Sequence, residues 1–270
     1  MPSYAITGAA RGLGLELVRQ LSSNPSNTVF GIVRNPDNAI NLASLSNLNP
    51  HVHIIKGDVG SSEQLAAAAA AVSKVTGGGL DILIHNAAAT DLATVMLPPS
   101  QLPKDTEGLH EAFRETLDTS VFGAILVTNA FLPLVRQGME KKIVHISSGM
   151  ADTEIIKKTG LSYGVAYSAA KAALNVVVAK YAAELAPESI KVLALSPSWV
   201  DTYEGPMPLP TELKDADERM LQEFRKIEPN LKGKTTKAES VRDQIDVIQN
   251  KLDMGFSGTF VSHHGNNYWF

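Results

Sequence analysis

Tyr167 and Lys171 stand four residues apart in Tyr167-Ser168-Ala169-Ala170-Lys171, a spacing that puts a phenol and an ammonium on one face of a helix. A phenol titrates near 10, too high to exchange protons readily at neutral pH. A cation at hydrogen-bonding range favours the phenolate and lowers that value. Such a pair suits proton donation to an oxygen on which negative charge is building. A nearby hydroxyl would steady the same oxygen, and Ser147-Ser148 offers two at the end of an apolar run. The Tyr-x-x-x-Lys spacing is uninformative by itself, since packing on a helix surface accounts for it equally well. Position singles it out: the pair opens the helix that follows the strand ending in the two serines.

A second constellation lies near the beginning, Thr7-Gly8-Ala9-Ala10-Arg11-Gly12-Leu13-Gly14, between an apolar run and a helical pattern. Glycines there let the chain turn sharply and let backbone N–H groups approach a pyrophosphate at a helix N-terminus. An ordinary glycine-rich turn meets the bare pattern too. Its place at the first strand-to-helix turn is what favours a phosphate site.

These residues need a frame to hold them. Apolar β-type runs at residues 4–7, 28–33, 51–56, 80–84, 142–146, 191–195 and 258–262 alternate with helical patterns at 12–22, 62–76, 111–137, 165–185 and 237–252. The alternation predicts an α/β fold with a mainly parallel sheet covered by helices on both faces. Near-continuous apolar strands such as Ile143-Val144-His145-Ile146 agree, because parallel strands are buried on both sides. No repeat, charge block or Gly/Ser linker divides residues 1–270, so one domain is expected. Two proline-rich segments, 92–105 and 197–236, break the rhythm and are expected to be long loops beside a ligand crevice.

Composition removes several classes. The chain has 270 residues, 44% hydrophobic and 19% charged, in the range of a folded domain. It has no Cys, which excludes disulfides, thiolate metal sites and thiol nucleophiles. A net charge of −4 offers no basic field for a phosphate backbone, so no nucleic-acid partner is expected. No apolar run suggests a bilayer span, no signal-peptide core is evident, and a cytoplasmic protein without membrane contact is the expectation. His51, His53, His263 and His264 suggest no metal site, for want of a carboxylate neighbour.

The spacing Thr-Gly-x-x-x-Gly-x-Gly, the Ser148/Tyr167/Lys171 set and their order resemble the short-chain dehydrogenase/reductase family, over residues 3 to about 202. The tail from Ser257 to Trp269 is similar to that of carbonyl reductases and norsolorinic-acid ketoreductase-like enzymes. The resemblance implies a seven-stranded doubly wound (Rossmann), three-layer α/β/α fold. It also implies reduction of a ketone or aldehyde by a nicotinamide cofactor. Tyr167 would donate the proton, Ser148 would polarise the carbonyl, and Lys171 would tune the phenol and hold the nicotinamide ribose. Ser147 is the rival of Ser148, and alternation along a strand lets only one face the crevice. Tyr163 lacks a lysine partner and is expected to line the substrate pocket.

Cofactor contacts implied in the same way are Gly8, Arg11, Gly12, Leu13 and Gly14 in the turn, Asp58 and Val59 after the third strand, and Asn86 after the fourth. Asp58 fits a turn cap equally well. Pro197, Val200 and Thr202 would grip the carboxamide end, together with Tyr167 and Lys171 at the ribose. The residue ending the second strand approaches the adenosine ribose, and Arg34 there, with Arg11, suits a 2′-phosphate. NADP(H) is therefore favoured over NAD(H), with Asp37 the counter-argument. Departures from the family are Ala88 and Ser198 where relatives carry Gly, Ser120 where they carry Asn, and extra residues around 154–160 expected to form a loop. They keep open an alternative, a catalytically impaired NADP(H)-binding or sensing protein. Trp199, Tyr203, Met207, Leu209 and Leu213 in the substrate loop, about 198–236, suit a small hydrophobic carbonyl substrate. The oligomeric expectation is a monomer or a homodimer paired through the 111–137 helix.

Overall fold

In the computed structural model, which describes residues 2–205 and 210–270, seven strands form one sheet in the order β3-β2-β1-β4-β5-β6-β7, every neighbouring pair parallel. The strands are β1 (Ser3–Thr7), β2 (Thr28–Val33), β3 (Val52–Lys56), β4 (Ile82–His85), β5 (Lys142–Ile146), β6 (Lys191–Ser196) and β7 (Phe260–Ser262). The order reverses between β1 and β4, and at such a switch point the connections leave in opposite directions and open a crevice at the strands' carboxyl ends.

Each strand alternates its side chains between two cores. On one face Ala5, Phe30, Leu83, Ile143 and Val192 pack under α3 (Ser62–Thr76), α5 (Gly123–Gln137) and α7 (Val165–Leu185). On the other Ile6, Val29, Ile84, Val144 and Leu193 pack under α1 (Gly12–Leu21), α2 (Ile40–Leu48) and α9 (Lys237–Asp246). This three-layer, doubly wound arrangement is the one expected.

Three expectations about elements need correction. The 111–137 helix is longer and broken: α4 (Thr106–Leu117) runs through a π-helical turn, Asp118–Phe122, into α5. By length and composition the whole run Thr106–Gln137 could cross a membrane, contrary to the expectation that nothing here could; half of its most apolar window is buried inside the protein. The extra residues near 154–160 are not a loop but α6 (Thr153–Thr159), capped by Asp152 and closed by Gly160 in the left-handed region. The substrate segment 198–236 is not wholly a loop either, because it contains α8 (Thr211–Phe224). Met207 and Leu209 lie outside the described residues.

Candidate active site

The β1–α1 turn is shaped by backbone conformations that side chains resist. Gly8 and Gly12 have φ of +68° and +59°, the left-handed region. A Cβ on Gly14 would lie 2.3 Å from the Gly8 carbonyl oxygen, so only glycine lets the helix start this close to the strand. Asn86 braces the turn from β4, its amide donating to the carbonyls of Thr7 (3.1 Å) and Gly8 (3.2 Å). The Asn86 side chain is thus spent on the backbone of the cradle, a role that the sequence reading did not distinguish from ligand contact. At the first turn of α1 the Gly12 N–H donates to the Glu204 carboxylate at 3.0 Å. The turn therefore already holds an anionic oxygen, as a phosphate-binding turn would, and its residues fit a dinucleotide.

Arg11 and Arg34 are both exposed near this end of the sheet, and neither forms an ion pair among the described residues. Asp37 sits in the short helical turn Pro36–Asn38, its N–H bonded to the Asn35 side chain, and so is a turn residue. Asp58 accepts from Gly60 N–H at 3.0 Å, so one of its oxygens is engaged in a turn. Val59 is buried in the core beneath Gly123.

β5 separates the two serines by alternation. Ser147 points into the core and donates to Asn175 Oδ1 at 2.6 Å. Ser148 lines the cavity at the strand ends beside Tyr167, accepts from Met150 N–H at 3.2 Å and lowers the phenol's pKa. α7 begins after Gly164, whose φ is +72°, and presents Tyr167 and then Lys171 one turn on. Lys171 is 2% exposed, donates to the Ile146 carbonyl at 2.7 Å, and lies 5.8 Å from the centre of the Tyr167 ring. Burial pushes its ammonium down to about 8.

The expectation that the lysine lowers the phenol's pKa is not met here. Burial raises Tyr167 above its ordinary value, and the Ser148 hydroxyl offsets that only in part. The reason is geometric: the ammonium is tied to a carbonyl and sits by the ring.

Ser120, on the π-helical turn, is wholly buried, its hydroxyl without a partner among the described residues. His85 bonds Thr7 Oγ1 at 3.1 Å and stands edge-on to His145, ring centres 5.6 Å apart. Burial first, with the Lys171 charge adding to it, pushes His145 down to about 3 and His85 well below its usual range, so both are neutral.

After β6, Ser198 adopts φ +79°, where relatives' glycine would be unstrained; a Cβ in that region costs about 1–2 kcal/mol. Residues 198–200 are held by Thr235: its N–H donates to the Trp199 carbonyl at 2.8 Å, and Val200 bridges to it. Pro197, Ser198, Val200 and Thr202 line the cavity, as does Leu13.

The cavity, about 220 Å³, is also walled by residues that the sequence reading did not place there: Met150, Ile155 from α6, Met220 and Phe224 from α8, Trp269 and Phe270. Phe224 stacks edge-on to Trp199 (5.3 Å) and packs on Phe270 (4.8 Å). Trp269 is pinned by its indole N–H to Asp152 at 2.9 Å and by stacking on Phe260 at 4.4 Å. The apolar positions Leu213, Ala216, Met220 and Phe224, at helical spacing, are the signal that could have revealed α8. Among the described residues of the set expected to line the substrate pocket, Trp199 lines the cavity and Tyr163, Tyr203 and Leu213 do not. Asp243 lies near His263 and His264, a carboxylate neighbour that the sequence did not suggest, with ligand atoms within 4.8 Å; Asp243 also pairs with Arg242 at 2.9 Å.

Residues 3–205 match the model of the short chain dehydrogenase family. The chain is 43% identical over 269 residues to the short-chain dehydrogenase/reductase atnB of an Arthrinium species, all of both chains being covered. Among solved structures it superimposes on NADPH-bound carbonyl reductase from chicken fatty liver with a TM-score of 0.78, at 25% identity and covering 100% of this chain and 99% of that one. Carbonyl reductase Sniffer of D. melanogaster shares the fold at a TM-score of 0.78, with 24% identity over 98% of each chain.

Proposed function

The chain belongs to the short-chain dehydrogenase/reductase family of oxidoreductases, and from that membership we propose that it reduces a ketone or aldehyde, with NADPH as hydride donor and Tyr167 as proton donor. The observation that carries the proposal is the Tyr167–Ser148 hydroxyl pair on the cavity wall, with the Lys171 ammonium beneath and the glycine turn beside it. The bound dinucleotide supplies hydride to the carbonyl carbon. As charge builds on the carbonyl oxygen, the Tyr167 hydroxyl gives it a proton and the Ser148 hydroxyl holds it by a hydrogen bond. Tyr167 is a neutral phenol in this buried setting and so carries the proton at neutral pH. Lys171, held by the Ile146 carbonyl beside the Tyr167 ring, would hold the nicotinamide ribose.

Arg11 and Arg34, exposed at the adenosine end, supply the charge that favours a 2′-phosphate, as does the NADPH in the chicken enzyme's structure. Met150, Met220, Phe224, Trp199 and Phe270 suit a small hydrophobic carbonyl compound and exclude water from the reacting oxygen. Absorbance loss from NADPH in the presence of aromatic ketones, quinones and aldehydes tests the proposal. Turnover that survives Tyr167→Phe overturns the assigned role.

One observation favours a second reading, a binding or sensing protein without turnover. Where relatives carry Asn, Ser120 has a buried hydroxyl that meets no partner among the described residues, so the support for Lys171 differs from theirs. Tight NADPH binding with no carbonyl turned over supports that reading; measurable turnover eliminates it.

A further inference from the structure

The oxygen seated in the glycine turn belongs to the protein itself. Glu204 Oε1 accepts from the Gly12 N–H at 3.0 Å and from the Lys237 ammonium at 2.8 Å, so two donors from different elements converge on one anionic oxygen. The donors are fixed. Gly12 opens α1, and the space a Cβ would fill there meets nothing within 4 Å. Lys237 opens α9, whose start is set by a reciprocal capping box between Thr236 and Glu239, and α9 is docked on α1 by Gln20 donating to the Ala238 carbonyl at 2.8 Å. The acceptor is not so fixed: Glu204 belongs to the irregular segment between β6 and α8.

We infer that Glu204 is an internal occupant of the phosphate cradle, displaced when a dinucleotide binds, and that Lys237 then becomes a ligand of the pyrophosphate. The inference rests on the dinucleotide reading above. A phosphate oxygen asks for the same charge and the same two donors as the carboxylate oxygen it replaces. Both anions cannot share them. Burial opposes ionisation of Glu204, but its bonds to Lys237 and Gly12 and the charges of Lys237 and Arg11 prevail and hold it below the usual carboxylate range, so it competes as an anion at neutral pH. Because the cradle binds a dinucleotide only in the fraction of molecules from which Glu204 has left, the apparent affinity falls by that fraction. Release of Glu204 also frees the segment next to Trp199 and Thr202 on the cavity wall, which couples the phosphate end of the site to the substrate end.

Isothermal titration with NADP⁺ and with NAD⁺, without substrate, tests this on the full chain, Glu204→Gln and Glu204→Gln/Lys237→Met. Glu204 and Lys237 are each about one-third exposed, so the effect is screened. Glu204→Gln should tighten dinucleotide binding about two- to fivefold, the scale of a surface charge at a helix N-terminus. Adding Lys237→Met to that variant should weaken binding by about threefold or more. Unchanged or weaker binding in Glu204→Gln overturns the occupant role, and no loss on adding Lys237→Met overturns the ligand role, with the dinucleotide reading intact in both cases. If neither dinucleotide binds any of the three proteins, the dinucleotide reading falls and this inference with it.

Discussion

Replacing Lys171 with Met should make the protein more stable and inactive at once. The ammonium is 2% exposed, and burial lowers its pKa from 10.5 to about 8. At 1.36 kcal/mol per unit, keeping it charged in the fold at pH 7 costs about 3 kcal/mol. Met retains most of the aliphatic stem but leaves the Ile146 carbonyl without its 2.7 Å donor, a loss of about 1–2 kcal/mol. The net gain is about 1–2 kcal/mol at pH 7, or about 2–4 °C in Tm for a chain of this size. The sign of the pH dependence follows from the depressed value. Between about 8 and 10.5 the unfolded chain holds the proton that the folded chain has lost, so the wild type gains stability as pH rises through that window. The variant has no such group, and its advantage shrinks: at pH 9.5 the cost in the wild type is down to about 1 kcal/mol. Urea unfolding of both proteins at pH 7 and 9.5 measures this. A variant less stable than the wild type at pH 7, or a difference identical at the two pH values, would refute the reasoning.

Three further outcomes follow from the site. Tyr167→Phe should lower turnover about 10²–10⁴-fold while leaving dinucleotide binding within about twofold, since only the proton donor is lost; stopped-flow reduction and titration read the two separately. Arg34→Ala should weaken NADP⁺ binding by about tenfold and leave NAD⁺ almost unchanged, because a guanidinium–phosphate pair is removed; titration with both nucleotides checks it. Phe224→Ala should raise KM for aryl ketones about tenfold and change KM for a three- or four-carbon ketone far less, as steady-state kinetics on the two classes will show.

The parts of this protein that could be read from the sequence are those whose physical cause is local. Strands β1, β5 and β6 declare themselves as apolar runs, and the glycine turn as a spacing, because positive φ and close approach demand glycine at Gly8, Gly12 and Gly14. Strand alternation says that only one of Ser147 and Ser148 faces the crevice; the choice of Ser148 came from the family resemblance, and in the structure Ser148 lines the cavity while Ser147 bonds Asn175 in the core. Helix α2 was invisible because it buries only Leu42 and so has almost no amphipathic pattern. Helix α8 was hidden behind the prolines before it and the charges on its outer face. The cavity wall was beyond reach for a different reason. Trp269 meets Asp152 across 117 residues and Gly12 meets Glu204 across 192, and no local spacing encodes such contacts.

What separates an enzyme from a binding protein here is the cost of the polar groups around α7. A cradle for a dinucleotide needs the glycine turn, its Asn86 brace and cations at its mouth, all near the surface. It does not need an ammonium buried at the ring of Tyr167 at about 3 kcal/mol. Nor does it need two imidazoles, His85 and His145, held neutral by burial beside that charge. The charge of Lys171 is felt by both histidines, so these three buried groups lie close to one another. That cost agrees with the proposed proton transfer, because strongly perturbed groups tend to mark reacting centres. The same cost explains why the Lys171→Met experiment is informative: it separates what the ammonium costs the fold from what it does for the reaction.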